Sequence, residues 1–193
     1  METPSAFRRI VESRKELGYI GEVLFSASVV ATFALFVALS KEYLRMPLHI
    51  PGHSAVYVIP LMLIGKVASK SRFGGIGIGG LSGTMMAFWG LGGGFILGIP
   101  RYLFMGAVID VLLQKREVQC SMVHLVAAGL FANFAKFFVG LVVVSLVGIP
   151  VFFIHLGLTF SVVTHITFGA LGGFIGFLVL KAIDRARNHS TTG

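Results

Sequence analysis

The sequence predicts an all-α integral membrane protein, a compact bundle of six transmembrane helices with an outward-facing polar pocket and both termini in the cytoplasm. Three observations carry that expectation. The first is a set of long runs without Asp, Glu, Lys or Arg: Val23 to Ser40, Phe73 to Pro100, Val118 to Ala135 and Phe137 to Leu180. A helix needs about 20 apolar residues to cross the hydrocarbon core, so the last of these must fold back on itself. The second is composition: 55% of residues are hydrophobic and 12% charged, with a mean hydropathy of +0.89. Soluble domains carry roughly 25% charged residues, about twice as many. The third is the placement of the basic residues, in short clusters at the edges of the apolar runs, which is the pattern of membrane orientation. A net charge of +8 distributed this way does not describe a nucleic-acid surface.

Residues 1–19 read as a cytoplasmic amphipathic segment, with Phe7, Ile10, Val11 and Leu17 among charges. Residues 20–183 form the six-helix domain and 184–193 a cytoplasmic polar tail. Helix 1 spans about 20–40. It runs longer than the roughly 7–15 apolar residues of a secretory signal, so it is read as retained despite the small residues around Ala38 and Ser40. Pro47 and Pro51 interrupt any regular helix in the loop that follows. Helix 2 covers about 53–69, helix 3 the glycine-rich stretch from Arg72 to Gly92, and helix 4 about 99–113. Helix 5 runs over about 121–147, Gly148-Ile149-Pro150 makes the turn, and helix 6 covers about 153–183. With the N-terminus inside, twelve of the sixteen Lys and Arg lie on the cytoplasmic side. Lys41, Arg45 and Arg101 lie outside, and Lys136 within helix 5. That bias implies a multi-pass protein of the cell membrane with both ends inside.

Several motifs have a plain reading. Gly75-Ile76-Gly77-Ile78-Gly79-Gly80 satisfies a dinucleotide fingerprint but opens a membrane span instead of joining a strand to a helix. Its glycines serve better as packing: Gly75, Gly79, Gly83 and Ala87 recur every four residues and make one smooth face. Gly169 with Gly173, and Gly172 with Gly176, do the same in helix 6. In helix 1, Ala27 and Ala31 form a small-residue pair near the cytoplasmic end, and Ala34 and Ala38 a second further out. Such a face suits internal packing or a separate membrane subunit. His49 and His53 lack a Cys or carboxylate nearby, so no metal site is expected. The single cysteine, Cys120, excludes an internal disulfide. No G-x-S-x-G or H-E-x-x-H string and no close pair of carboxylates is present, so neither an enzyme nor a resident cofactor is expected.

Polar residues inside spans are costly and face cavities or one another. Asn133 and Lys136 share a face of helix 5. Arg101 and Tyr102 start helix 4, Trp89 lies near the outer end of helix 3, and His155 and Thr159 share a face of helix 6 with Thr164 and His165 deeper. Beneath the loop bearing His53 these would make a pocket open to the outside. Lys136 stands about a dozen residues from either helix end, too deep for comfortable snorkelling. With Arg101 and Lys136 against few acids, the ligand expected is anionic or rich in acceptors. Asp110, near Lys115 and Arg116, reads as a structural charge partner.

The layout resembles the substrate-binding S component of an energy-coupling factor (ECF) transporter, a family within the ABC transporters. The residues that carry this resemblance are Ala27/Ala31, Pro51-Gly52-His53-Ser54 with Pro60-Leu61, the glycine-rich helix 3, Asn133-Phe134-Ala135-Lys136 and the stretch from His165 to Gly176. The resemblance implies a membrane subunit that captures a vitamin or vitamin precursor for ATP-driven uptake. It implies a transmembrane coupling subunit and two ATPase subunits as partners, docking at Ala27 and Ala31, and a lid formed by the loop between helices 1 and 2. The pocket would take in His53, Trp89, Arg101, Asn133, Lys136, His155 and Thr159. The nickel and cobalt branch of such systems begins Met-His, whereas this chain begins Met1-Glu2-Thr3, so a nickel/cobalt permease component is a further alternative with less support. The alternative from another class is a structural or assembly membrane protein, its helices joined by the glycine faces.

Overall fold

A computed structural model describes residues 6–44, 50–90, 98–146 and 157–190. They form six α-helices and one 3-10 turn, with no strand among the described residues: α1 Ala6–Tyr43, α2 Ala55–Ser69, α3 Gly74–Phe88, α4 Gly98–Leu112, α5 Met122–Leu146 and α6 Leu158–Ser190. The 3-10 turn Arg116–Cys120 joins α4 to α5. Three helices contain stretches long and apolar enough to cross a membrane: Gly18–Tyr43, Met122–Val143 and Leu158–Ala186. The other three, α2, α3 and α4, have 15 residues each. At 1.5 Å per residue that is about 22 Å of helix.

The expected helix ranges agree with these elements to within a few residues, apart from α1 and α6. The sequence suggested an amphipathic segment ending at residue 19, yet α1 runs without a break from Ala6 to Tyr43. No proline or glycine pair interrupts it; Gly18 and Gly21 stand alone, and an isolated glycine costs a helix about 1 kcal/mol without ending it. Likewise α6 continues past residue 183 to Ser190.

α2 lies at the centre and packs against all five other helices. Its buried face, with Val58, Ile59, Met62 and Leu63, meets Ala34 and Val37 of α1 and Ile109 of α4 in one core. Large apolar side chains elsewhere point outward, among them Phe25, Phe36, Phe104, Phe131 and Phe138. Exposed hydroxyls on the same helices turn back onto their own backbones: Ser28 donates to Leu24 O, Thr32 to Ser28 O, Ser145 to Leu141 O and Thr167 to Val163 O, all at 2.8–2.9 Å. An apolar perimeter that still satisfies its few hydroxyls internally is what a lipid surround demands.

Glycine sets the two closest helix contacts. A Cβ on Gly79 would meet the carbonyl of Tyr102, and one on Gly75 the carbonyl of Gly106, so the glycine face of α3 lies directly on the α4 backbone. Gly169 and Gly173 of α6 lie on the α5 backbone around Gly129, while Gly172 and Gly176 face Ala55 and Leu63 of α2. The paired glycines read from sequence therefore serve two different neighbours from two sides of one helix.

Contacts also fix the chain directions. Lys66 at the end of α2, Gly75 at the start of α3 and Asp110 at the end of α4 meet at one end of the bundle. Gly18 to Ser26 of α1 share a cleft with Ser69 to Ser71 at that end. Ser54, Arg101, Lys136 and His165 meet at the other end.

At the first end the structure differs from expectation. Asp110 pairs with Lys66 and not with Lys115: its carboxylate takes the Lys66 ammonium at 2.7 Å, with side chains only 5% and 2% exposed. Lys66 Nζ also donates to the carbonyls of Ser71 and Arg72, both at 2.8 Å. Asp110 accepts the N–H of Gly75 at Oδ1 and of Ile76 at Oδ2, each at 2.8 Å. A carboxylate from α4 thus caps α3, whose own N-cap residue, Phe73, offers no side-chain acceptor. Every donor of the ammonium and both oxygens of the carboxylate are used, which is the condition for burying such a pair without a large penalty.

Candidate functional site

The opposite end is polar without being closed on itself. Lys136 projects from the middle of α5, where the i, i+3, i+4 spacing places Asn133, Lys136, Phe137 and Gly140 along one stripe. Its Nζ donates to Ser54 Oγ at 3.3 Å and lies 5.1 Å from the centre of the Tyr102 ring. A cation over an aromatic face is stabilised by the ring quadrupole, by about 2 kcal/mol or more when shielded from water.

Lys136, Phe137, Gly140 and Leu141 of α5, with Arg101 of α4 and His165 of α6, line a cavity of about 210 Å³. Gly140 makes room for the guanidinium, since a Cβ there would come 3.2 Å from Arg101 Nε. His165 stacks on Phe137 with ring centres 4.7 Å apart. Its Nδ1 lies 2.7 Å from Ser161 O, so that nitrogen carries the proton and the ring is held by its own helix.

The turn before α2 closes over this histidine. Gly52 has a φ of +81°, in the left-handed region that favours glycine. A Cβ at Gly52 would also meet the His165 ring at 3.0 Å, so both conformation and contact require the missing side chain. His53 Nδ1 sits 2.7 Å from Ile50 O and holds the turn together.

Three buried atoms at this end have no hydrogen-bond partner among the described residues: Arg101 Nε, Tyr102 OH and Asn133 Oδ1. The Asn133 amide is fixed by donating Nδ2 to His165 O at 2.8 Å, which leaves its oxygen as the open group. An unpaired buried polar atom costs about 1–3 kcal/mol, so a cluster of three in one region calls for a function or a partner.

Of the residues singled out from sequence, Arg101 and Lys136 line the cavity and Asn133 lies one turn below it. His53 is in the turn beside it. Trp89 caps the end of α3 and is 50% exposed, outside the cavity lining. Thr159 is exposed in the first turn of α6, and His155 lies outside the described residues. His165, expected deeper on helix 6, lines the cavity, whereas Ser54, Phe137 and Gly140 belong to this region but were not in the expected set. Phe137 and Gly140 were legible as neighbours of Lys136 on its stripe; Ser54, from a distant turn, was not.

Ala27 and Ala31 of α1 are exposed, whereas Ala34 and Ala38 are fully buried in the core. The two small-residue pairs thus divide, one packed inside the bundle and one on its outer surface. Residues 45–49, the centre of the expected lid, are outside the described residues, as is His49. Among the described residues no three metal-ligating side chains gather. No family model, characterised protein or solved structure matches this chain.

Proposed function

We propose that the chain is the membrane-embedded substrate-capture subunit of an ATP-driven uptake system for a small water-soluble nutrient, a vitamin or vitamin precursor. In this reading all six helices cross the membrane, both termini face the cytoplasm, and the Lys136 end faces outward. A transmembrane coupling subunit and two ATPase subunits supply the energy, with the exposed Ala27/Ala31 face of α1 as the docking surface. The chain itself binds and does not catalyse.

The observation that carries this proposal is the set of buried polar atoms without a partner among the described residues: Arg101 Nε in the cavity lining, Tyr102 OH on the ring beneath the Lys136 cation, and Asn133 Oδ1 one turn from Lys136. Two cationic side chains favour an anionic or acceptor-rich ligand and repel a metal cation, which counts against nickel or cobalt as cargo. A cavity of about 210 Å³ is smaller than the roughly 300–1,000 Å³ of drug-sized ligand sites, so it fits a small molecule or the polar end of a larger one.

The test is gentle purification from the native membrane, followed by mass spectrometry of proteins and small molecules that accompany the chain. A coupling protein, paired ATPases and a small anionic molecule are the expected company. Lys136→Met and Arg101→Gln should each lose at least about tenfold in ligand recovery, since a charge-assisted hydrogen bond contributes about 1.5–3 kcal/mol. Ala27→Leu with Ala31→Leu should shed the partners and keep the ligand. Full ligand recovery by both cation variants would remove the pocket assignment.

A structural or assembly role is the second reading. It draws on the glycine-mediated contacts of α3 with α4 and of α5 with α6, which need no ligand to explain them. Recovery of the chain with neither ATPases nor a small molecule, but with another stable membrane partner, would favour it.

A further inference from the structure

The Lys66 end carries a second concavity, unrelated to the polar cluster around Lys136. A cavity of about 590 Å³ is lined by Lys66, Lys70, Ser71, Arg72, Lys115 and Gln119, with Val67 and Gln114 completing it. Asp110 already neutralises Lys66, which leaves Lys70, Arg72 and Lys115 as its cations. None of the residues lining it is acidic.

Both rims of this cavity are held in place. The Lys66 ammonium ties down the carbonyls of Ser71 and Arg72, and the Gln119 amide donates to Leu113 O at 2.9 Å, fixing the 3-10 turn to the end of α4. Lys70 ends α2 with a φ of +53°, left-handed backbone that a non-glycine residue adopts only at a cost. Cations presented from a fixed backbone lose less freedom on meeting an anion than the same cations on a loose tail.

A third concavity lies between α4 and α5. Ala107, Val108, Val111 and Leu112 of α4 face Phe131, Phe134, Ala135 and Phe138 of α5 across a groove of about 540 Å³ with no polar lining. The groove reaches Val111 and Leu112, and Gln114 and Lys115 of the cationic cavity follow within one turn. A cationic cavity of this size, close along the chain to an apolar groove, matches a molecule with an anionic head and a hydrocarbon tail.

We infer that the Lys70–Arg72–Lys115 cavity and the adjoining α4–α5 groove form a binding site for an anionic phospholipid. The headgroup phosphate lies among the three cations and one acyl chain lies along the groove. Free phosphate shares the headgroup chemistry but has nothing to place in the groove, and an acidic protein segment has no need of it.

The test uses the full chain, stripped of lipid in detergent and offered an equal mixture of phosphatidylglycerol and phosphatidylcholine, with native mass spectrometry counting retained lipid. Wild type should retain phosphatidylglycerol preferentially. The variant carrying Lys70→Gln, Arg72→Gln and Lys115→Gln should lose about a hundredfold in that preference, the scale expected from three basic residues near a charged headgroup. Lys181→Gln with Arg185→Gln removes exposed charge from the same end of the bundle and should change little. Ala135→Phe, which fills the groove, should weaken retention while all three cations remain.

Equal retention of the two lipids by wild type overturns the proposal. So does an equal loss from the Lys181/Arg185 control, which would make the attraction diffuse. If the stripped protein binds inorganic phosphate and Ala135→Phe has no effect on lipid, the cavity belongs to a free anion and the lipid assignment falls. None of these outcomes depends on whether the Lys136 end captures a nutrient.

Discussion

Two lysines inside the bundle have opposite circumstances. Lys66 has two carbonyls and a carboxylate, whereas Lys136 has one hydroxyl and an aromatic face among the described residues. The first arrangement is complete and fixes α2, α3 and α4 together; the second leaves bonding capacity around it. Removing one partner of a buried pair costs about 3–5 kcal/mol, because the remaining charge is stranded. Asp110→Ala should therefore lower the melting temperature in detergent sharply, since it also uncaps Gly75 and Ile76. Lys66→Met with Asp110→Asn should recover much of the loss, having removed both charges while keeping an acceptor for α3. Single variants that melt with wild type would show that the pair does not hold the three helices. Sequence position placed Lys66 with Lys70 and Arg72 as one flanking cluster, and Asp110 with Lys115 and Arg116. Nothing local distinguishes a lysine at a helix end from one turned inward. The difference lies in a carboxylate from another helix, and tertiary packing alone supplies it.

At the scale of the helix, the four-residue glycine spacing was legible because its physics is local: a face without side chains exists before any partner is chosen. What the spacing could not name was the partner, which turned out to be α4 for α3, and both α5 and α2 for α6. The same distinction predicts opposite outcomes for two substitutions. Gly79→Val would drive a side chain into the Tyr102 carbonyl, and backbone cannot yield as a flexible side chain can. Overpacking of this kind costs about 1–3 kcal/mol. Gly21→Ala meets nothing within 4 Å in α1 and should be neutral or stabilising by about 0.5–1 kcal/mol. Thermal unfolding of both variants in one detergent checks the pair, and equal destabilisation would contradict the close α3–α4 contact. The polar site was legible in the same partial way. Asn133 and Lys136 announce themselves as polar residues in an apolar helix, and their stripe extends to Gly140. The turn that brings Gly52 and Ser54 against α5 and α6 depends on how the whole bundle closes.

For the molecule as a whole, the division into three long and three short helices has a consequence for its surroundings. Helices of 15 residues supply about 22 Å of rise, against about 30 Å of hydrocarbon in an ordinary bilayer. α1, at 38 residues, has about 57 Å and overshoots it. In the proposed six-span arrangement, the protein offers lipid a belt of uneven height, low where α3 and α4 face outward and full along α1, α5 and α6. Acyl chains beside the low sector must shorten or tilt, at a cost of fractions of a kcal/mol per Å. The folded protein should accordingly be more heat-resistant in bilayers of shorter-chain lipid, and a melting temperature independent of chain length would argue against an uneven belt. The low sector ends in the first turn of α4, beside Arg101. In that arrangement a dip in the membrane at that place would bring water down to the guanidinium, and the bilayer's own shape would become part of the route into the proposed pocket.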